Sequence, residues 1–381
     1  MNEMNIAIVD DNKTNLLIIE KILHMAGYSN LSMFSSAKEL YRFMGMDSVL
    51  ASESIADLIL MDMMMPEIDG IEACRAIRAQ ERFRDIPIIF VTALGDSNKM
   101  AEALDAGATD YVMKPINKTE LLARIRSALR LKYEKDWHRE RDKRIQYELS
   151  LAKQVQQNVL SKPFANDQVQ VTVKYVPSSE LAGDFYAWYP IGANRFGIIL
   201  LDMMGHGIAS SLVCMYIYSF LKDTLTGISE LDGVMQELNR RMMQLHWADN
   251  LMNYYFTAIY LVVDTDARTI EYVNAGHPAG LALVDGKVQK LDIGCCALGL
   301  FDHIQVTTGS MTYEREARLV LYTDGLAEWM SGDPDEAADR IMQGIQKTEA
   351  QDADALFQQL QPDFGDEPVP DDMCLIMVSV S

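Results

Sequence analysis

The sequence predicts an α/β chain of two folded domains in series: a doubly wound parallel-sheet domain, a helical linker, and an α+β domain. Three observations carry this expectation. At 381 residues the chain is too long for one ordinary core. Residues 1–130 alternate short, nearly continuous apolar runs with helical patterns, as expected of a parallel sheet covered on both faces. Residues 131–160 contain neither Gly nor Pro, and beyond them strand-like and helical runs follow one another without regular alternation.

In the first domain, Ile6-Ala7-Ile8-Val9 ends in Asp10-Asp11 and leads into a helical stretch from Thr14 to Met25. Leu58-Ile59-Leu60-Met61 ends in Asp62, and Pro87-Ile88-Ile89-Phe90-Val91 ends in Thr92. Polar residues at the C-terminal ends of parallel strands lie where open α/β sheets place their sites. The linker, residues 131–162, is rich in good helix formers. Within it Ile145, Leu149, Ala152, Val155 and Val159 form one apolar seam, which favours a short coiled coil, and so a homodimer, over a helix packed on its own domain. Pro163 closes the segment. In the third region, 163–381, strands are expected at Val169–Tyr175, Phe196–Leu201, Phe256–Val263, Thr269–Asn274, Arg318–Tyr322 and Cys374–Val380. Helices are expected from Gly207 to Leu225 and within 230–245 and 334–360.

Composition excludes several function classes. No run approaches the apolar length of a membrane span, and Met1 to Asn5 lack the basic start and apolar stretch of a secretory signal, so a cytoplasmic protein with no membrane partner is expected. The five cysteines show no C-x-x-C spacing, and adjacent Cys295 and Cys296 read as two small buried residues rather than a redox pair. A net charge of −21 without a basic stripe argues against nucleic acid. The acidity is concentrated after residue 160, where 31 Asp and Glu face 13 Lys and Arg, a surplus able to include clustered metal ligands.

The strand reading brings Asp10, Asp11 and Asp62 to one sheet edge with Thr92 and Lys114. Three such carboxylates repel one another unless a cation neutralises them, and hard oxygen ligands suit Mg²⁺. An aspartate there can itself be a nucleophile that forms an acyl phosphate, with Lys114 holding the phosphoryl charge and the Thr92 hydroxyl bonding one of its oxygens. Taken singly, each residue is as well explained by a helix cap or a turn. The order IAIVDD, LILMDMMMPEIDG, IIFVTA, ATDYVMKP, however, resembles the receiver domain of response regulators over about residues 4–130. The resemblance implies a five-stranded parallel domain. It also implies phosphate transfer to Asp62 from a histidine kinase or phosphotransfer protein, Mg²⁺ held by Asp10, Asp11, Asp62 and the Met64 carbonyl, switch positions at Thr92 and Tyr111, and phosphoryl contact by Lys114. The Gly45–Ala56 segment is long for that family.

A second set of carboxylates flanks predicted strands in the last domain: Asp184 in ELAGDFY, Asp202 in LLDMMGHG, Asp324 in LYTDGLAE, and Asp371-Asp372 before MCLIMVSV. Two metal ions held by carboxylates can activate water and clamp a phosphoryl group, so no serine or cysteine nucleophile is needed. Gly205, His206 and Gly207 form a turn that opens a helix, whose N-terminus suits an anion. Apart from this set, His206 and His277 read as structural histidines. With SLAKQVQQNVL, NAGHP at 274–278 and ALGL at 297–300, the set resembles the SpoIIE-like branch of the PPM serine/threonine phosphatases over about residues 145–381. The resemblance implies a β-sandwich flanked by helices. It also implies two Mn²⁺ or Mg²⁺ ions bound by Asp184, Asp202, Asp324, Asp371 and the Met203 carbonyl, with Asp372, Gly205 and His206 as further site residues. The implied substrate is a phosphorylated STAS-domain anti-sigma-factor antagonist. Ala182, Ala187 and Cys374 depart from the family pattern without removing a ligand. The competing reading is an adaptor whose phosphatase-like domain only binds a sigma-factor regulator. Such adaptors lose metal carboxylates, and here all four remain.

Overall fold

The computed structural model describes residues 4–46, 56–93, 97–205, 207–245, 254–331, 333–347, 352–360 and 369–381. Most of the Gly45–Ala56 segment, and His206, lie outside the described residues. The chain divides into two compact units, Met1–Ile145 and Gln146–Ser381.

The first unit runs β1 (Ile6–Val9), α1 (Lys13–Met25), β2 (Leu31–Phe34), α2 (Ala37–Met44), β3 (Leu58–Asp62), α3 (Gly70–Ala79), β4 (Ile88–Thr92), α4 (Ser97–Asp105), β5 (Asp110–Met113) and the start of α5 (Lys118–Val159). Its five strands pair in parallel in the order β2-β1-β3-β4-β5. Successive side chains of a strand point to opposite faces, and here both faces are cores. Val9, Met61 and Phe90 pack with Leu40, Cys74 and Ile77, whereas Ile8, Leu60 and Ile89 pack with Ile19, Leu23 and Ile125. Burial on both sides is why the strands read as unbroken apolar runs. Asn12 caps α1 by accepting from the Thr14 N–H at 2.9 Å, and Asp69 caps α3 through the Glu72 N–H at 2.7 Å. Gly70 opens α3 because a Cβ there would lie 2.3 Å from the Asp62 carbonyl oxygen.

The second unit begins with the last turns of α5. It continues through β6 (Phe164–Ala165), β7 (Val169–Val176), β8 (Asp184–Pro190), β9 (Arg195–Met203), α6 (Ile208–Gly227), α7 (Leu231–Met243), β10 (Phe256–Asp264) and β11 (Thr269–Ala275). Then come β12 (Gly280–Val284), β13 (Lys287–Leu291), β14 (Gly294–Cys295), β15 (Gly309–Thr312), β16 (Ala317–Tyr322), α8 (Asp324–Met330), α9 (Pro334–Lys347), α10 (Ala353–Leu360) and β17 (Met373–Val380). One sheet has the order β14-β11-β10-β9-β8, with β15 on β11, and the other β13-β12-β16-β17-β7-β6. Alternation along β16 and β17 makes the layers. Leu319, Leu321, Ile376 and Val378 enter the core shared with β9, β10, α6 and α7, while Val320, Tyr322, Leu375 and Met377 enter a second core under α8, α9 and α10. The result is a β-sandwich flanked by helices.

Several details differ from expectation. The 334–360 helix is two, α9 and α10. The β12–β13 hairpin turns at Asp285-Gly286, both with positive φ, a local signal present in LVDGKV that the strand reading passed over. Cys295 is half-buried at the end of two-residue β14, and Cys296, beyond it, is exposed, so the expectation of two buried cysteines is corrected. The linker seam is divided: Val159 packs against the second unit's core, Leu149 and Ala152 are half-buried, and Ile145 and Val155 are exposed.

Gly325 brings α8 into close backbone contact with the segment before β17. A Cβ there would sit 2.1 Å from the backbone carbonyl oxygen of Asp372. Gly325→Ala should therefore destabilise the second unit by about 1–3 kcal/mol, the usual range for overpacking. Gly227→Ala, which meets nothing within 4 Å, is the control. Thermal unfolding followed calorimetrically should show the second unit's transition lowered in Gly325→Ala alone. Equal transitions in both variants would contradict the close approach.

Candidate functional site

The first unit gathers its polar residues at the C-terminal edge of the sheet. One carboxylate oxygen each from Asp10, Asp11 and Asp62 can lie within 4.8 Å of one another. Asp10 and Asp62 are buried, Asp11 exposed. The Lys114 ammonium reaches Asp10 Oδ2 at 2.9 Å and Asp62 Oδ2 at 3.1 Å. Asp10 Oδ1 also accepts from the Asn12 backbone N–H and the Asn15 side-chain amide. Burial raises the Asp62 pKa above the usual carboxylate range; the bond and charge of Lys114 and the Met64 backbone N–H oppose that rise. Thr92 ends β4 fully buried, its carbonyl accepting from the Lys114 N–H at 2.8 Å. Tyr111 is half-buried, with the Arg124 guanidinium 5.6 Å from its ring centroid. Six of the seven predicted residues therefore lie at or just beyond the C-terminal ends of β1, β3, β4 and β5, with Lys114 in contact with Asp10 and Asp62, while Tyr111 lies within β5 opposite Phe90.

The second unit's carboxylates come from four elements. Asp184 opens β8 and stands directly opposite Asp202 in the antiparallel pairing with β9. Asp324 opens α8, and Asp371 precedes β17. Asp184 is only 2% exposed, and its Oδ2 has no hydrogen-bond partner among the described residues. Burial first, then the charges of Asp202 and Asp372, hold its pKa well above the carboxylate range, with the Thr323 hydroxyl offsetting part of the rise. Asp202 is raised from 3.8 to about 8 by burial and by Asp324 and Asp371, and it shares a hydrogen bond with Asp324. Among the described residues no ion pair ties Asp184 or Asp202 to Lys or Arg, and the Asp10 group is the one trio of possible ligands within 4.8 Å. An all-oxygen donor set with an orphaned buried oxygen fits hard divalent cations, and its spread suits two ions better than one.

Asp371 and Asp372 separate by what they touch. Asp372 is 3% exposed and uses both oxygens inside the protein: Oδ1 accepts from the Ser178 N–H at 2.7 Å and the Ser178 hydroxyl at 2.9 Å, and Oδ2 from the Gly183 N–H at 2.7 Å. Asp371 Oδ1 accepts from the Asp372 N–H, and its charge acts on Asp202. Asp372 is thus a brace for the loop before Asp184. A Cβ on Gly183 would meet the Gly205 carbonyl oxygen at 2.8 Å and that of Met203 at 3.2 Å, so both turns converge on this loop. Gly205 and Gly207 have φ of 77° and 93°, which favours glycine. His277, read as structural, is buried with its Nδ1 2.8 Å from Thr257 Oγ1, and burial pushes its pKa down to about 3. Ala187 is buried in β8, and the Cys374 backbone N–H donates to Thr323 Oγ1 at 2.9 Å, so neither departure disturbs a carboxylate. Gln156, inside SLAKQVQQNVL, and Thr323, inside LYTDGLAE, carry no role of their own in the sequence reading, because their bonds go to backbone atoms distant in sequence.

With this geometry in place, the chain can be compared with known proteins. A model of the response regulator receiver domain matches residues 6–126, and the model of Stage II sporulation protein E (SpoIIE) matches residues 192–381, starting downstream of Asp184. Phosphoserine phosphatase RsbP of Bacillus subtilis is 42% identical over 183 residues, 48% of this chain and 45% of that protein. The DNA-binding dual master transcriptional regulator RpaA of Synechocystis is 36% identical over 125 residues, 33% of this chain and 48% of that protein. The chain spans about half the length of these curated relatives. Among solved structures, the SiaA-PP2C domain of Pseudomonas aeruginosa covers 62% of this chain and 97% of its own, with a TM-score of 0.51 at 20% identity, a likeness of fold.

The raised pKa of Asp202 has a measurable sign. Between its ordinary 3.8 and about 8, the folded chain keeps a proton that the unfolded chain releases. The stability this contributes is complete below the lower value and is lost as pH rises through the upper one. A divalent cation takes the proton's place, so stabilisation of the second unit by Mn²⁺ should be larger at about pH 8 than at about pH 6, and Asp202→Asn should remove the difference. Scanning calorimetry with and without Mn²⁺ measures this. Equal cation-induced shifts at both pH values would contradict it.

Proposed function

We propose that this chain, a response-regulator receiver domain at residues 6–126 joined to a SpoIIE-family domain at 192–381, is a two-component response regulator whose output is a metal-dependent phosphoserine/phosphothreonine protein phosphatase. The observation that carries the reading is the buried, unpartnered Asp184 oxygen facing Asp202, with Asp324 and Asp371 acting on the same group. The Asp184–Asp202 pair has no use as packing, because like charges brought together with loss of solvent are costly. Two Mn²⁺ or Mg²⁺ ions held by Asp184, Asp202, Asp324, Asp371 and the Met203 carbonyl would supply an activated water and a clamp on the phosphoryl oxygens. The protein's own part is to hold these oxygens rigidly and to exclude water from Asp184.

In the receiver, Asp62 is the phosphoacceptor. A carboxylate oxygen attacks the phosphorus of a phosphohistidine on a kinase or phosphotransfer protein, the P–N bond breaks, and an acyl phosphate forms. Lys114, already within 3.1 Å of Asp62, balances the added charge, and Asp10, Asp11, Asp62 and the Met64 carbonyl would hold a Mg²⁺ that neutralises the phosphoryl oxygens. Thr92 and Tyr111 take the switch positions. The phosphatase substrate is a phosphorylated STAS-domain anti-sigma-factor antagonist in the cytoplasm; the likeness of the second domain to a phosphoserine phosphatase supports the substrate class. Exposed Leu131, Tyr133, Trp137, Ile145 and Val155 on α5 support a homodimer through the linker helix, which would carry the receiver's state to the phosphatase.

One experiment tests both activities. The chain is incubated with labelled acetyl phosphate and Mg²⁺, and turnover of a phosphoserine protein is followed with Mn²⁺. Asp62→Asn should lose the label and keep basal hydrolysis. Asp202→Asn and Asp324→Asn should keep the label and lose hydrolysis by more than the roughly 10–100-fold that loss of an outer-shell partner costs. Undiminished hydrolysis in excess chelator, or in both carboxylate variants, would contradict the phosphatase assignment.

A further inference from the structure

The loop that aims Asp184 is held almost entirely by side chains. Ala182 and Gly183 precede β8 and offer two N–H and two carbonyl groups. Asp372 takes the Gly183 N–H at 2.7 Å, and the Cys214 thiol donates to the Gly183 carbonyl at 2.8 Å. The remaining two groups belong to Ala182, and one residue takes both. Gln156 Nε2 donates to the Ala182 carbonyl at 2.8 Å, and Gln156 Oε1 accepts from the Ala182 N–H at 3.1 Å. With all four backbone groups satisfied, the unpartnered polar atom left at this point is Asp184 Oδ2.

Gln156 lies on α5, not on the sandwich, and is 5% exposed between exposed Val155 and Gln157. Burying an amide side chain on a helix is unfavourable unless its donor and acceptor are both met. A carboxamide carries a donor and an acceptor at one end, so it can close on one residue's N–H and carbonyl together. Gly183 cannot carry a Cβ, so that residue is held by its backbone hydrogen bonds and not by a side chain of its own. From this geometry we infer that Gln156 is a positioning residue for the cation-binding carboxylates: its amide fixes Ala182 and thereby Asp184, so the linker helix holds one wall of the site. This rests on the phosphatase reading above. A twist or slide of the end of α5 reaches Asp184 through these two hydrogen bonds, with one residue, Gly183, in between.

A purely structural anchor and a positioning residue differ in what they change. The test uses the full chain carrying Asp11→Asn, which weakens cation binding by the receiver, and compares Gln156→Leu, Gln156→Glu and, as reference, Asp202→Asn. Mn²⁺ binding is measured by isothermal titration, with melting of the metal-free chain beside it. Gln156→Leu should weaken the Asp202-dependent Mn²⁺ binding by about 10–100-fold, the usual cost of losing an outer-shell partner, with the metal-free melting transition nearly unchanged. Gln156→Glu keeps the acceptor for the Ala182 N–H but sets a carboxylate oxygen against the Ala182 carbonyl, so it too should weaken binding. It decides the matter if the leucine variant fails to fold. Turnover in both variants should recover as Mn²⁺ is raised. Wild-type Mn²⁺ affinity in either folded variant, or a loss of melting temperature with affinity of the folded chain unchanged, would overturn the positioning role. Absence of any Asp202-dependent Mn²⁺ binding in the Gln156 chain would overturn the phosphatase reading and the positioning role together.

Discussion

Repulsion among desolvated carboxylates is the constraint on which the second unit depends. Asp184 and Asp202 face each other across two paired strands, Asp324 and Asp371 approach from the other sheet, and burial makes the charges of Asp184 and Asp202 more expensive than they would be in water, while Asp324 stays exposed. The fold meets this with close backbone approaches that only glycine permits, at Gly183 and Gly325, and with Asp372, whose oxygens are given wholly to N–H and O–H donors. The receiver solves a milder form of the same problem with a resident cation. Lys114 lies against Asp10 and Asp62, and the third carboxylate, Asp11, remains in solvent. That difference explains why the pKa of Asp62 rises modestly while that of Asp184 is driven far up.

Much of this was legible in the sequence, for identifiable reasons. Parallel strands buried on both faces leave unbroken apolar runs, so β1, β3 and β4 and the polar residues after them were readable to within a residue or two. The long strands β7, β9, β10, β11, β16 and β17 were equally visible because their lengths and β-branched content survive without context. Others were not: β8, as long as β11, begins in a motif read for its aspartate, and the short β14 and β15 owe their pairing to β11 rather than to their own residues. The β12–β13 hairpin did carry its own signal in Asp285-Gly286.

Within the site, residue type pointed to the carboxylates, but sequence alone left Asp371 and Asp372 nearly equivalent. Neighbours alternate across a strand or a turn, and which one faces the cluster depends on hydrogen bonds to Ser178 and Gly183, almost two hundred residues away in the chain. Gln156 escaped for the same reason. In the linker sequence it interrupts an apolar seam, and a seam read as a coiled coil treats such a residue as solvent-facing. The structure instead divides the helix, turning Gln156 and Val159 to the domain and Ile145 and Val155 outward.

That the second unit holds a pair of divalent cations on these carboxylates is tested most directly by electron paramagnetic resonance of the Mn²⁺-loaded chain carrying Asp11→Asn. Two ions a few ångströms apart, sharing carboxylate oxygens, give an exchange-coupled spectrum that a single bound ion cannot give. The expected result is that coupled signal, lost on Asp202→Asn. A spectrum of isolated Mn²⁺ alone, unchanged by Asp202→Asn, would contradict the account.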